Sequence, residues 1–368
     1  MFKEIKKNFG FGVMRLPLSE DKKIDLDEFS KMVDYFISSG FNYFDTAHGY
    51  LSEQSEIAIR ECLTKRYKRE DYVLTNKLSP NYFSKEEDII PLFNKQLEAC
   101  GVEYFDFYLM HAQQKNNYDQ YQKCHAYDVA KKLKEEGKIK HIGISFHDSA
   151  EFLDKILTEH PEVEVVQLQF NYLDYEDPVV QSRLCYEVAL KHNKPVIVME
   201  PVKGGSLVNL PKEASKVLEN LHNGSNASYA IRFAASFSNV FMVLSGMSNM
   251  EQLNDNVSFM KEFEPLNEKE KEALKKVVKI FKSIPTIPCT SCKYCVDGCP
   301  KHILIPDLFR DYNSIIKFND LNAKDFYVFH TKEHGKAKDC IKCGKCENIC
   351  PQHLPIRDLL VKVSKTFD

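Results

Sequence analysis

The chain has 368 residues, 43% hydrophobic and 28% charged, with a formal net charge of −3. That length fits a barrel-sized domain followed by a small one, and the hydrophobic share is ordinary for a chain with a large buried core. The charge balance gives no bulk argument for nucleic acid or an anionic membrane surface, and no apolar run approaches a membrane-spanning length.

Residues 1–18 carry Lys3, Glu4, Lys6, Lys7 and Arg15 without a continuous apolar core, so no signal peptide is expected. From residue 9 to about 247, short apolar runs alternate with helical patterns. The runs predict strands at 10–16, 41–47, 72–78, 105–111, 141–147, 165–171, 195–201 and 240–247. Between the first two, residues 27–38 put Phe29, Met32, Val33, Phe36 and Ile37 on one helical face, and Gly40 stops the helix. Ser84-Lys85-Glu86-Glu87 predicts a capping-box start for a helix that Gly101 closes. Residues 131–136 read as a solvated helix end closed by Gly137, and Pro178 is expected to open a further helix in its first turn. The stretch 204–226 is longer than a normal connection, with a short helix expected at 211–221. Eight strand-then-helix units over about 250 residues predict an α/β fold, a (β/α)8 TIM barrel. An open doubly wound sheet fits less well, because no G-x-G-x-x-G follows the first strand.

The side chains able to do chemistry fall at the carboxyl ends of these strands. Asp45 ends the second, with Tyr50 in the loop beyond it, Lys77 ends the third and His111 the fourth. Strand ends of a barrel open on one face, so the four can converge. Lys77 would supply a positive charge that lowers the Tyr50 pKa, Asp45 would hold Lys77 protonated, and His111 would orient a carbonyl oxygen. Taken singly, each also has a structural reading, such as a turn cap or a buried ion pair. Four of them at consecutive strand ends favour a proton-transfer site.

These residues lie in Asp45-Thr46-Ala47-His48-Gly49-Tyr50, Val73-Leu74-Thr75-Asn76-Lys77, Tyr108-Leu109-Met110-His111 and Gly137-Lys138-Ile139-Lys140-His141-Ile142-Gly143-Ile144-Ser145. On these motifs the chain resembles the aldo-keto reductases over roughly residues 8–262. The resemblance implies NAD(P)-linked carbonyl–alcohol interconversion, with Asp45, Tyr50, Lys77 and His111 as a catalytic tetrad and Tyr50 as general acid/base. It places Ser145 and Gln167, with Asn171 at the same strand end, at the nicotinamide. Gly204 falls on the loop after the seventh strand, and Gly246, Glu251, Gln252 and Asn256 on the adenosine-phosphate segment. Phe146 and Met199 depart from the family pattern. So do Gly246, Ser248 and Gln252, which stand where relatives preferring NADP often have Lys or Arg; NAD against NADP stays open.

After the eighth unit, residues 267–282 predict one more helix, and Pro285 and Pro288 break the chain. The expected domains are therefore 1–283 and 284–368. The second holds two runs of the form C-x2-C-x2-C-x3-C-P, beginning at Cys289 and Cys340, and the echo continues through His302 and His353. In such duplicated runs the fourth cysteine ligates the cluster of the other run. That rule assigns Cys289, Cys292, Cys295 and Cys350 to one cluster, and Cys340, Cys343, Cys346 and Cys299 to the other. Zinc sites suit two four-cysteine runs each ending in Cys-Pro poorly. The last eighty or so residues resemble the two-cluster ferredoxins, implying two [4Fe–4S] clusters on a small α+β domain. The combination resembles the iron–sulfur branch of the aldo-keto reductases. The intervening Tyr312, Phe318, Phe326, Tyr327 and Phe329 are expected to pack this domain onto the barrel.

The scattered thiols Cys62, Cys100, Cys124 and Cys185, beside thiolate-held iron, point to a reducing cytoplasm. Three electron routes fit the sequence: NAD(P)H chemistry beside structural or regulatory clusters, a flavin joining the two, or clusters fed by ferredoxin or another redox protein. A reading from another class is an electron-transfer protein whose barrel serves as a docking scaffold. The substrate expected is a small carbonyl or alcohol.

Overall fold

The computed structural model describes residues 2–289, 293–350 and 352–368. Eight parallel strands close into a barrel in sequence order: β1 (Phe9–Gly12), β2 (Tyr43–Asp45), β3 (Val73–Leu78), β4 (Phe105–Gln113), β5 (Ile139–Phe146), β6 (Val165–Gln169), β7 (Val196–Met199) and β8 (Val240–Gly246). All eight expected strands are present; several end two to four residues early, because the chain at their carboxyl ends turns out into the loops that carry the candidate site.

The barrel is a packed core, as the fold requires. Tyr43, Val73, Phe107, Leu109, Val165, Ile197 and Met242 fill it. At the amino ends of the strands Phe2 packs edge-on to Phe107 at 5.0 Å and against Phe241 at 5.0 Å. A Cβ on Gly143 of β5 would come within 2.5 Å of Val165 Cγ2 and 3.0 Å of the Val165 carbonyl, so only glycine lets the strands and Leu109 meet there. Outside, the apolar stripe of the helix Leu26–Ser38 buries Phe29, Met32, Val33 and Phe36, and Asp25 caps it by accepting from Glu28 N at 2.9 Å.

Two local expectations need correction. The helix Ile89–Cys100 does end at Gly101, φ +67°, but its lead-in turn is anchored by Asp88 rather than Glu87. Asp88 Oδ2 accepts from Ser84 N at 2.9 Å and Lys85 N at 3.2 Å. Pro178 does not open a helix. Asp177 Oδ1 accepts from Val179 N and Val180 N and closes a turn, which delays the helix to Ser182–Lys191.

Compactness divides the chain into Met1–Gly204 with Asn223–Lys271, and Gly205–His222 with Glu272–Asp368. The second unit's regular elements, among the described residues, are all helical. Its duplication extends to the backbone. The short helices Tyr294–Asp297 and Lys345–Ile349 correspond, as do the longer Ile305–Phe318 and Ile356–Phe367. His302 and His353 both adopt left-handed φ, +50° and +51°. Ile303, Ile305, Leu354 and Ile356 bury the equivalent positions of one core. Of the aromatic residues between the two cysteine runs, Tyr327 stacks inside this core on Phe367 at 4.3 Å, while Phe326 and Phe329 are 55% and 72% exposed. No helix among the described residues is long and apolar enough to cross a membrane.

Candidate functional site

Register brings Asp45 of β2 opposite Thr75 of β3, so Lys77, two residues further along β3, projects past the end of β2. Its ammonium is fully buried and has three acceptors: Asp45 Oδ1 at 2.6 Å, the Thr46 carbonyl at 2.8 Å and Tyr50 Oη at 3.3 Å. Three bonds satisfy all three N–H groups, the condition under which a buried ammonium is tolerated. Asp45 Oδ2 also accepts from Gln167 Nε2 at 3.2 Å. The ring of His111 meets Tyr50 edge-on, with centroids 5.9 Å apart. All four expected proton-site residues therefore come together.

The loop after Tyr50 is bent by three successive left-handed residues, Leu51, Ser52 and Glu53, at φ +51°, +54° and +68°. Such conformations cost about 1–3 kcal/mol each for non-glycine residues. The turn is tied down by Gln54 N to Leu51 O at 3.1 Å and Ser55 N to Tyr50 O at 3.3 Å. On β4 the register slips between Met110 and Gln113, and Ala112 takes φ +52°. A bulge re-aims the side chain beside it, here His111.

Several groups that the sequence did not flag complete the arrangement. Ser79 Oγ lies 2.7 Å from His111 Nδ1. Behind Lys77, Gln96 Nε2 donates to the Lys77 carbonyl at 2.9 Å and to Asn76 Oδ1 at 3.1 Å. Asn76 Nδ2 reaches Glu56 at 2.8 Å, and Glu56 meets His48 Nδ1 at 2.7 Å. These are buried polar residues clamping the backbone of β3. Only Gln96, out of pattern on an apolar helix face, left a trace in the sequence.

Burial is the first influence on the charges. It raises the Asp45 carboxyl, against the pull of Lys77. It would lower Lys77, but Asp45 and Tyr50 reverse that and leave the amine raised, hence protonated. This direction follows from the 2.6 Å contact. Tyr50 departs from expectation: burial of the phenol outweighs the Lys77 charge, and its pKa is raised, with Asp45 and Glu200 adding to the rise. His111 is pushed well below its ordinary value, chiefly by burial and then by Lys77, so the ring is neutral.

The expected cofactor residues are placed less uniformly. Ser145 and Gln167 are paired in register on β5 and β6, and both are buried. Asn171 is engaged by its own loop, with Nδ2 on Asp174 at 2.8 Å and on the Glu200 carbonyl at 3.1 Å, and Oδ1 accepting from Leu173 N and Asp174 N. Asn256 Nδ2 donates to Ser245 Oγ at 3.1 Å, and Gln252 Oε1 accepts from Ser248 N at 2.8 Å. Glu251 lies exposed in the first turn of the helix Met250–Met260. Gly204 and Gly246 both border Arg15. A Cβ on Gly246 would lie 3.3 Å from Arg15 Cβ, and one on Gly204 3.5 Å from its Nη2. Arg15 thus brings an exposed guanidinium to the strand ends where no Lys or Arg was expected.

In the small unit the cysteines line two hollows. Cys299, Cys340, Cys343 and Cys346 border one, and Cys289, Cys295 and Cys350 the other. The fourth cysteine of each run thus borders the hollow of the other run. Cys292 lies outside the described residues. Among the described residues, no three His, Cys, Asp or Glu side chains are grouped to hold a single metal ion.

A profile described as the Aldo/keto reductase family matches residues 8–279, and one described as the 4Fe-4S dicluster domain matches residues 288–354. The chain is 27% identical over 212 residues to a 9,11-endoperoxide prostaglandin H2 reductase of Trypanosoma cruzi, covering 56% of this chain and 68% of the relative. It is 26% identical over 240 residues to a glyoxal reductase of Bacillus subtilis, covering 58% and 81%. Among solved structures, an aldo-keto reductase of Klebsiella pneumoniae in complex with NADPH superposes with a TM-score of 0.61 at 16% identity, over 74% of this chain and 90% of that one.

Proposed function

Since the chain belongs to the aldo/keto reductase family and carries a 4Fe-4S dicluster domain, we propose that it reduces a small carbonyl compound at Tyr50, with residues 1–283 doing this chemistry and residues 284–368 holding two [4Fe–4S] clusters. The observation that carries the reading is the fully buried Lys77 ammonium, 2.6 Å from Asp45 and 3.3 Å from Tyr50 Oη.

NAD(P)H, when bound, supplies the hydride. Every other part of the reaction falls to the chain. Tyr50, its pKa raised by burial, keeps its proton at neutral pH and is loaded as the acid. As that proton passes to the carbonyl oxygen, negative charge develops on Oη. Lys77 is already placed to stabilise it, and Asp45 keeps Lys77 charged. Ser79 Oγ lies 2.7 Å from His111 Nδ1, and a hydroxyl donating there would leave the ring proton on Nε2 to hold the carbonyl oxygen. Ser145 and Gln167 suit a carboxamide, and Arg15, between Gly204 and Gly246, suits the phosphates of a dinucleotide. Asn171, Gln252 and Asn256 already have partners and would have to exchange them.

For the clusters we assign Cys289, Cys292, Cys295 and Cys350 to one, and Cys340, Cys343, Cys346 and Cys299 to the other. The lining of the two hollows supports this pairing. Glyoxal, named in one relative, is the first substrate to try. Protein purified without oxygen should bind NADPH or NADH and oxidise it when a small carbonyl is added. Absence of dinucleotide binding in iron-replete protein would defeat the reading.

A further inference from the structure

The two cysteine loops are duplicates in spacing and backbone but not in charge. The first stretch, residues 285–304, holds two lysines, Lys293 and Lys301, and one acid, Asp297. The equivalent residues 336–355 hold four lysines, Lys336, Lys338, Lys342 and Lys345, against Asp339 and Glu347, in a chain whose net charge is −3. The second stretch carries the larger share of the lysines.

All four of these lysines are exposed, and so is Lys301, which with Lys345 borders the hollow lined by Cys299 and the second run. None of the five has an ion-pair partner among the described residues. The nearby acids are otherwise engaged: Glu347 is held by Arg357 at 2.7 Å, and Asp339 accepts from Lys336 N at 2.8 Å. Between Lys338 and Lys342 in the chain, Ile341 is 57% exposed, two residues before Cys343, which is the exposed cysteine among those bordering the hollows.

We propose that this loop, with Ile341, Lys338, Lys342, Lys345 and Lys301, is the docking surface for an acidic single-electron carrier protein. An exposed apolar side chain with ammonium groups close by in the chain and along the same hollow is suited to a transient partner. The charge steers the approach, the apolar contact removes water at closest approach, and the small area lets the complex separate. Docking here sets the carrier beside the exposed Cys343, where one electron can leave a reduced carrier, which is oxidised, and enter the group the cysteines hold, which is reduced. The inference rests on the small unit carrying clusters. It is independent of the chemistry at Tyr50, because binding is measured without a carbonyl substrate.

The test uses anaerobically prepared full-length protein whose iron content and absorbance match between variants. A purified acidic [2Fe–2S] ferredoxin serves as the probe. The surface predicts saturable binding at about 20 mM salt that weakens at least about tenfold at about 200 mM. The double variant Lys338→Glu/Lys342→Glu should lose about tenfold in affinity at low salt, and Ile341→Ser should weaken it further. The barrel variant Lys123→Glu/Lys132→Glu should bind like the parent. Unchanged affinity in Lys338→Glu/Lys342→Glu with intact clusters would overturn the proposal, as would salt-insensitive binding. It would also fall if these lysines bound anionic phosphatidylglycerol vesicles or duplex DNA more tightly than the carrier. A shifted midpoint potential with unaltered carrier affinity would likewise reject docking, because the lysines would then only offset thiolate charge.

Discussion

Lys77 shows how one side chain can set both stability and chemistry. Its charge is buried, and its three bonds make that burial tolerable. Removing it leaves Asp45 buried with only Gln167 as partner, a situation that costs about 3–5 kcal/mol. Lys77→Met should therefore lower the melting temperature and abolish turnover together. Adding Asp45→Leu should restore part of the stability and none of the activity, as thermal unfolding and carbonyl assays would show.

His111 makes a second prediction. Its native pKa lies well below the ordinary 6.5, so below about pH 6.5 the unfolded chain binds more protons than the folded one. The stability due to neutral His111 is complete above that pH and is lost as pH falls toward the native pKa. Denaturant titrations of His111→Gln should show a shallower fall between about pH 6.5 and pH 5 than the parent. His147, also lowered by burial, should retain its own smaller share in both proteins.

The four residues were legible because Asp45, Lys77 and His111 fall at the ends of apolar runs and Tyr50 in the loop beyond one, where the barrel arithmetic lets them converge. Ser79 was not, since nothing in a lone serine two residues beyond Lys77 announces an imidazole 32 positions away.

At the scale of elements, the eight strands and most helices follow from apolar runs and glycine stops. The misreadings arose where a short polar side chain decided the geometry. Asp88 replaced Glu87 because the shorter carboxylate closes onto Ser84 and Lys85, and Asp177 formed a turn where Pro178 alone suggested a helix. The bulge after His111 was invisible for another reason: Ala112 carries the left-handed φ without being Gly, Asn or Asp. Close strand packing makes the element-scale prediction. Gly143→Val would drive a side chain into Leu109 and Val165, and should cost at least about 1–3 kcal/mol in chemical denaturation. Stability unchanged in that variant would mean the barrel interior is looser than described.

At the scale of the whole molecule, the small unit's core is built around its cysteines. Cys295 and Cys346 are buried among Ile303, Ile305, Leu354 and Ile356. A unit of this size draws much of its stability from what its thiolates hold. Iron removal by a chelator should abolish amide-exchange protection in the helices Ile305–Phe318 and Ile356–Phe367 while leaving β3 to β6 protected. The duplicated runs made this unit the most legible part of the sequence. Its lysine asymmetry was equally readable, but it acquired meaning only once Cys343 was found exposed beside it.

The central claim is that Tyr50 is the proton donor for carbonyl reduction. Its most direct test is the turnover of Tyr50→Phe with NAD(P)H and glyoxal, measured beside the dinucleotide dissociation constant in protein with full iron content. Loss of the acid should reduce kcat by about 10²–10⁴-fold and leave dinucleotide affinity unchanged. A variant that binds the dinucleotide normally and turns over as fast as the parent would contradict the account.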